Sequence, residues 1–119
     1  MTDDPIREFI RSQKVADHVI EGGVRRLQDD WAKTVSDVVR EEPTNEYEYL
    51  NDMDGRDILD RIEHQFPGST DTAGDDERFL SAVRRSETCL WGAENAAERG
   101  WTPERQWWYF HEWPESVER

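Results

Sequence analysis

Between residues 4 and 40, apolar side chains return at every third or fourth position, and this periodicity limits the fold more than any other feature. Ile6, Phe9, Ile10, Gln13, Ala16, Ile20, Val24, Leu27, Trp31, Val35 and Val38 make up the pattern. Set at 100° per residue, they stay within a sector of roughly 120°. A stripe of that width predicts an amphipathic helix with one buried face. Asp3 or Asp4 is placed to cap its start, and Pro5 suits a first turn. Gly22 and Gly23 interrupt the composition, each costing about 1 kcal/mol against alanine. The stripe keeps its phase across them, so a helix that bends at the glycines, or uses them for close packing, is expected. Unbroken, it would exceed ~50 Å at ~1.5 Å per residue, long beside a domain of this size.

Pro43 ends that element. Asn45 followed by Glu48 has capping-box spacing, which predicts a short helix over 46–53 with Tyr47 and Leu50 inward. Asp54-Gly55-Arg56-Asp57 then restarts a helix carrying Ile58, Leu59, Ile62 and Phe66, stopped by Pro67-Gly68. PGSTDTAG, 67–74, reads as a loop. A helix over 75–99 opens on Asp75, Asp76 and Glu77 and turns Phe79, Val83, Cys89, Leu90 and several alanines inward. Gly100 caps it, and Thr102-Pro103 starts a final helix ending near Pro114. No strand and no repeat is predicted. The expected fold is therefore a single all-α domain, 1–119: a small bundle built on the long N-terminal helix packed against 75–99.

Composition bears on whether such a chain folds. Leu, Ile, Val and Phe number only 22 of 119 residues, which together with 28 acids against 15 bases borders on disorder. Six tryptophans and three tyrosines supply the missing area, since each large ring buries ~150–250 Å². The net charge of −13 argues against binding a phosphate backbone and against attraction to anionic lipid. No apolar run nears the ~20 residues of a membrane span. MTDDPIREFI lacks the features of a signal peptide. Cys89 is the only cysteine, so no intrachain disulfide forms and a reducing, cytoplasmic setting is expected.

Two features point to a partner. Trp107-Trp108-Tyr109-Phe110-His111-Glu112-Trp113 would spread its rings around a helix, more than one buried face accepts. Either that helix lies in a groove, or Trp107, Trp108, Tyr109 and Trp113 form an aromatic anchor, with Trp108 and Tyr109 turned outward. The second feature is an acidic belt over 41–63, nine acids against two arginines, including Glu46, Glu48, Asp52, Asp54 and Asp57. A belt of this kind is either a solvated face or a steering surface for a basic partner. Two lysines beside thirteen arginines fit genome composition or salt adaptation as a further source of the acidity.

The function expected from these features is non-catalytic binding of a basic protein, in the manner of an inhibitor, immunity protein or antitoxin. No cofactor is expected. Pairing with a second copy through the same rings is compatible, and alanine at Trp108 and Tyr109 should then weaken association without unfolding the chain. A mimic of DNA charge is the extreme version. The rival class is a metal-dependent enzyme whose ligands come from His18 with Glu21, Asp60 with His64, and His111 with Glu115. Against it, the Glu-x-x-His spacing of di-iron bundles is missing. The calcium-loop likeness of Asp52-Met53-Asp54-Gly55 also fails, because Leu50 and Arg61 fall at the first and twelfth ligand positions. Cys89 lies on the apolar stripe and reads as a small core residue.

Overall fold

The periodic N-terminal stripe folds as two helices rather than one. In the computed structural model, which describes residues 4–119, α1 spans Pro5–Ser12 and α2 spans Asp17–Val39. Asp4 caps α1, its carboxylate accepting from the amides of Ile6 and Arg7 at 3.0 and 3.3 Å. Asp3 lies outside the described residues. The stripe's one polar member, Gln13, marks where the first helix ends, and Lys14 turns the chain with a φ of 58°. Ile10 and Ile20 nevertheless both reach the core, so the stripe runs in phase across the break.

The expected bend occurs at Gly23, whose φ of 63° and ψ of −157° are not helical. Arg7 of α1 answers the break. Its Nε donates to the carbonyl of Ile20 and its Nη2 to that of Glu21, both at 3.1 Å. An unbroken helix would give those two carbonyls to the amides of Val24 and Arg25. A Cβ on residue 23 would find Arg7 Nη2 at 3.6 Å, ordinary contact. The backbone angles, not space, therefore reserve the site for glycine. Gly23→Ala is expected to destabilise by about 1–3 kcal/mol, read as a lower urea midpoint with an unchanged slope.

α3 is one continuous helix, Glu46–Gln65, where the sequence suggested two. The Asn45 side chain accepts from the Glu48 amide at 2.9 Å, as the capping spacing predicts. Gly55 sits inside the helix without ending it. Continuity also corrects which tyrosine turns inward: Tyr49 aligns with Met53, Arg56 and Asp57 and is buried, whereas Tyr47 is 76% exposed.

The predicted helix over 75–99 is split. α4 spans Ala73–Ala82 and α5 spans Ala93–Arg99. Between them the backbone is claimed by the C-terminal segment. Ser86 and Leu90 donate to the carbonyls of Phe110 and Tyr109 at 3.0 and 2.8 Å, and Glu112 donates to that of Arg84 at 2.8 Å. The predicted final helix is likewise only a 3-10 turn, Trp107–Tyr109. An α-helix would hold those rings at 100° intervals; the irregular chain lets successive rings enter the core. Two short strands, β1 (Thr44–Asn45) and β2 (Val117–Glu118), pair in parallel and fasten the C-terminal segment beside the start of α3.

The architecture is thus mostly helical, with α2 packed against α1, α3 and α4. Its core runs from Ile10 through Trp31, Met53, Leu59, Ile62 and Phe79 to Trp108 and Tyr109. Cys89 is buried, and burial pushes its thiol pKa up, as suits a core residue. No helix among the described residues is long and apolar enough to cross a membrane.

Candidate functional site

Aromatic rings at the C-terminal end face inward. Trp108 and Tyr109 are each 1% exposed, so neither serves as the outward anchor expected from an α-helical reading. Trp107 packs on Trp31 and Phe79, with ring centres 6.4 and 6.0 Å away. Trp113 leans on Tyr49 at 5.8 Å and lies beneath the Arg119 guanidinium at 4.5 Å. Trp107 and Trp113 remain half-buried, while Trp108 and Tyr109 have no surface to offer a second copy.

A polar clasp holds this aromatic layer. Arg56 donates from Nε and Nη2 to the two carboxylate oxygens of Asp76 at 2.9 and 2.8 Å. Trp31 Nε1 and Thr72 Oγ1 add two more donors to the same carboxylate, at 2.9 and 2.8 Å. The guanidinium meanwhile lies over the Trp107 and Trp108 rings, 5.2 and 4.7 Å from their centres. Nothing in the sequence paired Arg56 with Asp76, because each reads as one more surface charge.

The three histidines do not converge. His18 is exposed in the first turn of α2, and His64 near the end of α3 accepts from Arg105 at 3.1 Å. His111 is buried against Tyr49, its Nε2 2.6 Å from the phenol oxygen. Tyr49 and His64 alone are about 22 Å apart along the α3 axis. No group of three or more metal-ligating side chains occurs among the described residues. His18, His64 and His111 therefore do not form one ligand set among the described residues.

His111 carries a pH consequence instead. Burial pushes its pKa down from 6.5 to about 4, slightly offset by the Trp107 carbonyl. In the unfolded chain the imidazole titrates near 6.5, so between pH 6.5 and 4 the unfolded state binds the extra proton. Stability from the neutral ring is complete above 6.5 and is lost as pH falls, by up to ~3 kcal/mol. Asp52 works the other way. Burial, with Glu48 and Asp30 adding to it and Thr34 and Lys33 opposing it, raises its pKa to about 6. Its protonation between pH 6 and 4 favours the folded state, by less than ~1 kcal/mol because the side chain is partly open to water. The expected result is a net loss of stability over that range, and His111→Gln should flatten it in thermal melts at stepped pH.

The main open feature is a cleft of about 950 Å³ between α2, α3 and α5. From the acidic belt, Asp52, Asp54 and Asp57 line it; Glu48 edges a smaller neighbouring hollow of about 370 Å³ that shares Asp52, while Glu46 is exposed. Asp52 makes no ion pair among the described residues, and Lys33 nearby is engaged by Asp37 at 2.9 Å. Two aromatic residues that the sequence reading had not marked as partner contacts frame the cleft: Tyr47, and Trp91, which is 37% exposed. The Trp91-Gly92 step, a turn signal inside a predicted helix, was the only hint. Trp101 stacks on Tyr109 at 4.1 Å and carries the Arg99 guanidinium at 5.2 Å. Compared with protein-family models, with curated proteins and with solved structures, the chain matches none of them.

Proposed function

We propose that this is a non-catalytic protein that binds a basic protein partner, through the cleft edge of α3 rather than through the C-terminal rings. The observation that carries this reading is that Glu46, Glu48 and Asp52, all exposed along that edge, make no ion pair among the described residues. Asp52 stands beside Glu48 and Asp30, both of which disfavour its ionised form, while Lys33, held by Asp37, gives it only partial relief. A partner's arginine or lysine would relieve that repulsion, and the surrounding charge would steer its approach. Tyr47, largely exposed beside Glu46 and Glu48, offers a rigid ring for contact.

The test is a charge reversal that leaves the core alone. Glu46→Lys, Glu48→Lys and Asp52→Lys together should abolish cross-linking to basic proteins in native extract at low salt, with the melting curve still cooperative. Wild type should lose the same partners at 0.5 M salt, where the screening length is only ~4 Å. A set of cross-linked proteins that is neither basic nor altered by the reversal would overturn the proposal.

A further inference from the structure

Residues 111–118 form a strap laid across the start of α3. At its far end β2 pairs with β1, and the Thr44 amide donates to the Ser116 carbonyl at 3.0 Å. At its root the Glu112 amide donates to the Arg84 carbonyl at 2.8 Å. Between these points Trp113 rests on Tyr49, and Val117 is the strap's one buried apolar side chain. The Arg56–Asp76 clasp and the Trp107 and Trp108 rings beneath it lie outside the strap. A segment with so few anchors can open while the rest of the fold stays closed.

His111 is the strap's one buried polar side chain, 2% exposed. Its Nε2 meets the Tyr49 hydroxyl at 2.6 Å, and its Nδ1 has no hydrogen-bond partner among the described residues. A neutral ring can place its single N–H on Nε2, towards the phenol oxygen. An imidazolium carries a second on Nδ1, with no acceptor to meet it. No anion compensates. On α3 the ring meets Tyr49, whose neighbours Glu48 and Asp52 line the small hollow beside it. On α4 it meets Phe79 edge-on at 5.2 Å. Arg85, opposite His111 in a β-bridge, donates to the Pro103 carbonyl, and Arg84 pairs with Glu112 at the surface at 3.8 Å. Glu115 and Glu118 are exposed. None of these charges moves the His111 pKa, which burial lowers to about 4 with only the Trp107 carbonyl favouring the charged ring.

We propose that His111 is a pH-sensitive catch: neutral, it holds the strap against the start of α3, and protonated, it frees residues 111–118. Release reaches the partner-binding edge through Asn45, which pairs with Glu118 in the sheet and also caps the turn that carries Glu46, Tyr47 and Glu48. Acid therefore loosens that edge. This last step rests on the protein-binding reading above; the release of the strap does not. In a freed strap the imidazole titrates near 6.5 in water, so each step down in pH favours the freed form until the buried ring also protonates. Between pH 7 and pH 5 the freed population should rise about 20-fold.

Amide hydrogen exchange of the intact protein at pH 7 and pH 5, each corrected for the intrinsic rate at that pH, tests the catch. The Thr44 and Glu112 amides, bonded across the two ends of the strap, should exchange about tenfold or more faster than those of Trp31 and Leu59 at either pH. From pH 7 to pH 5 their protection should fall about 20-fold, and in His111→Gln by less than about threefold. Strap amides that exchange at the core rate would show that the strap leaves only with the whole fold, and would overturn the proposal without any variant. A wild-type His111 ring that titrates near 6.5 in the folded protein, followed by its Cε1 proton, would overturn it too. So would an equal pH response in His111→Gln. Cross-linked basic proteins should be lost at pH 5 more completely from wild type than from His111→Gln; equal losses would overturn the coupling to the edge. A Glu46, Glu48 and Asp52 reversal without effect on protein capture would defeat the protein-binding reading and leave the exchange result standing.

Discussion

Asp76→Ala is expected to cost about 3–5 kcal/mol, a large part of the ~5–15 kcal/mol that holds a domain of this size together. The carboxylate takes four donors from three separate stretches of chain: Trp31 on α2, Arg56 on α3, and Thr72 at the start of its own helix. Removing it leaves a buried guanidinium with no counter-charge, still pinned over two indoles. Most of the loss is that stranded charge rather than the intrinsic worth of the pair. Asp76→Leu combined with Arg56→Met should therefore recover a substantial fraction of it. Chemical denaturation of the two single variants and the double variant checks this. Independent, additive losses would show that the ion pair is not the source.

Trp108→Ala is the second large effect, about 3–5 kcal/mol, from lost transfer energy and the cavity that remains. Sequence reasoning led to the opposite expectation, an exposed ring whose removal weakens association while leaving the fold intact. Burial reverses the prediction: the variant should show a lower midpoint, a broader melt and raised dye binding. Trp108→Phe should fare much better, because the indole Nε1 is buried without a hydrogen-bond partner among the described residues. That substitution removes an unanswered donor while keeping most of the ring. A Trp108→Ala protein as stable as wild type would place the ring outside the core in solution.

The comparison of these two residues shows what periodicity can and cannot reveal. Helical stripes in α1, α2 and α3 were legible because each buries one face against the same core, and the Asn45 cap and the bend at the glycines followed from local chemistry. Residues 83–92 and the segment from Thr102-Pro103 to Pro114 read as helical in sequence yet are not, because their backbone partners lie in each other, some 20 positions apart, as in the Leu90 bond to Tyr109. No local rule reports such a pairing. Irregular backbone also frees successive rings from the 100° spacing that made Trp108 and Tyr109 look outward. The acidic belt was legible as charge, but its division was not: Asp57 turned in, Asp54 tied to two neutral donors, Asp52 raised by its neighbours. Those differences come from α2, α5 and Trp91 arriving from elsewhere in the chain.

The Arg56–Asp76 pair straddles the loop over residues 67–72. Cleaving there would leave one fragment with the guanidinium and Trp31, and the other with the carboxylate and the indoles that roof it. Each half would expose core surface that the other covers, Trp31 on one side and Phe79 with Trp107 on the other, so the two are expected to gain structure on being mixed. The buried ion pair accordingly ties the stability of each half to the other, and recovery of helical signal on mixing the fragments is the measure of that tie.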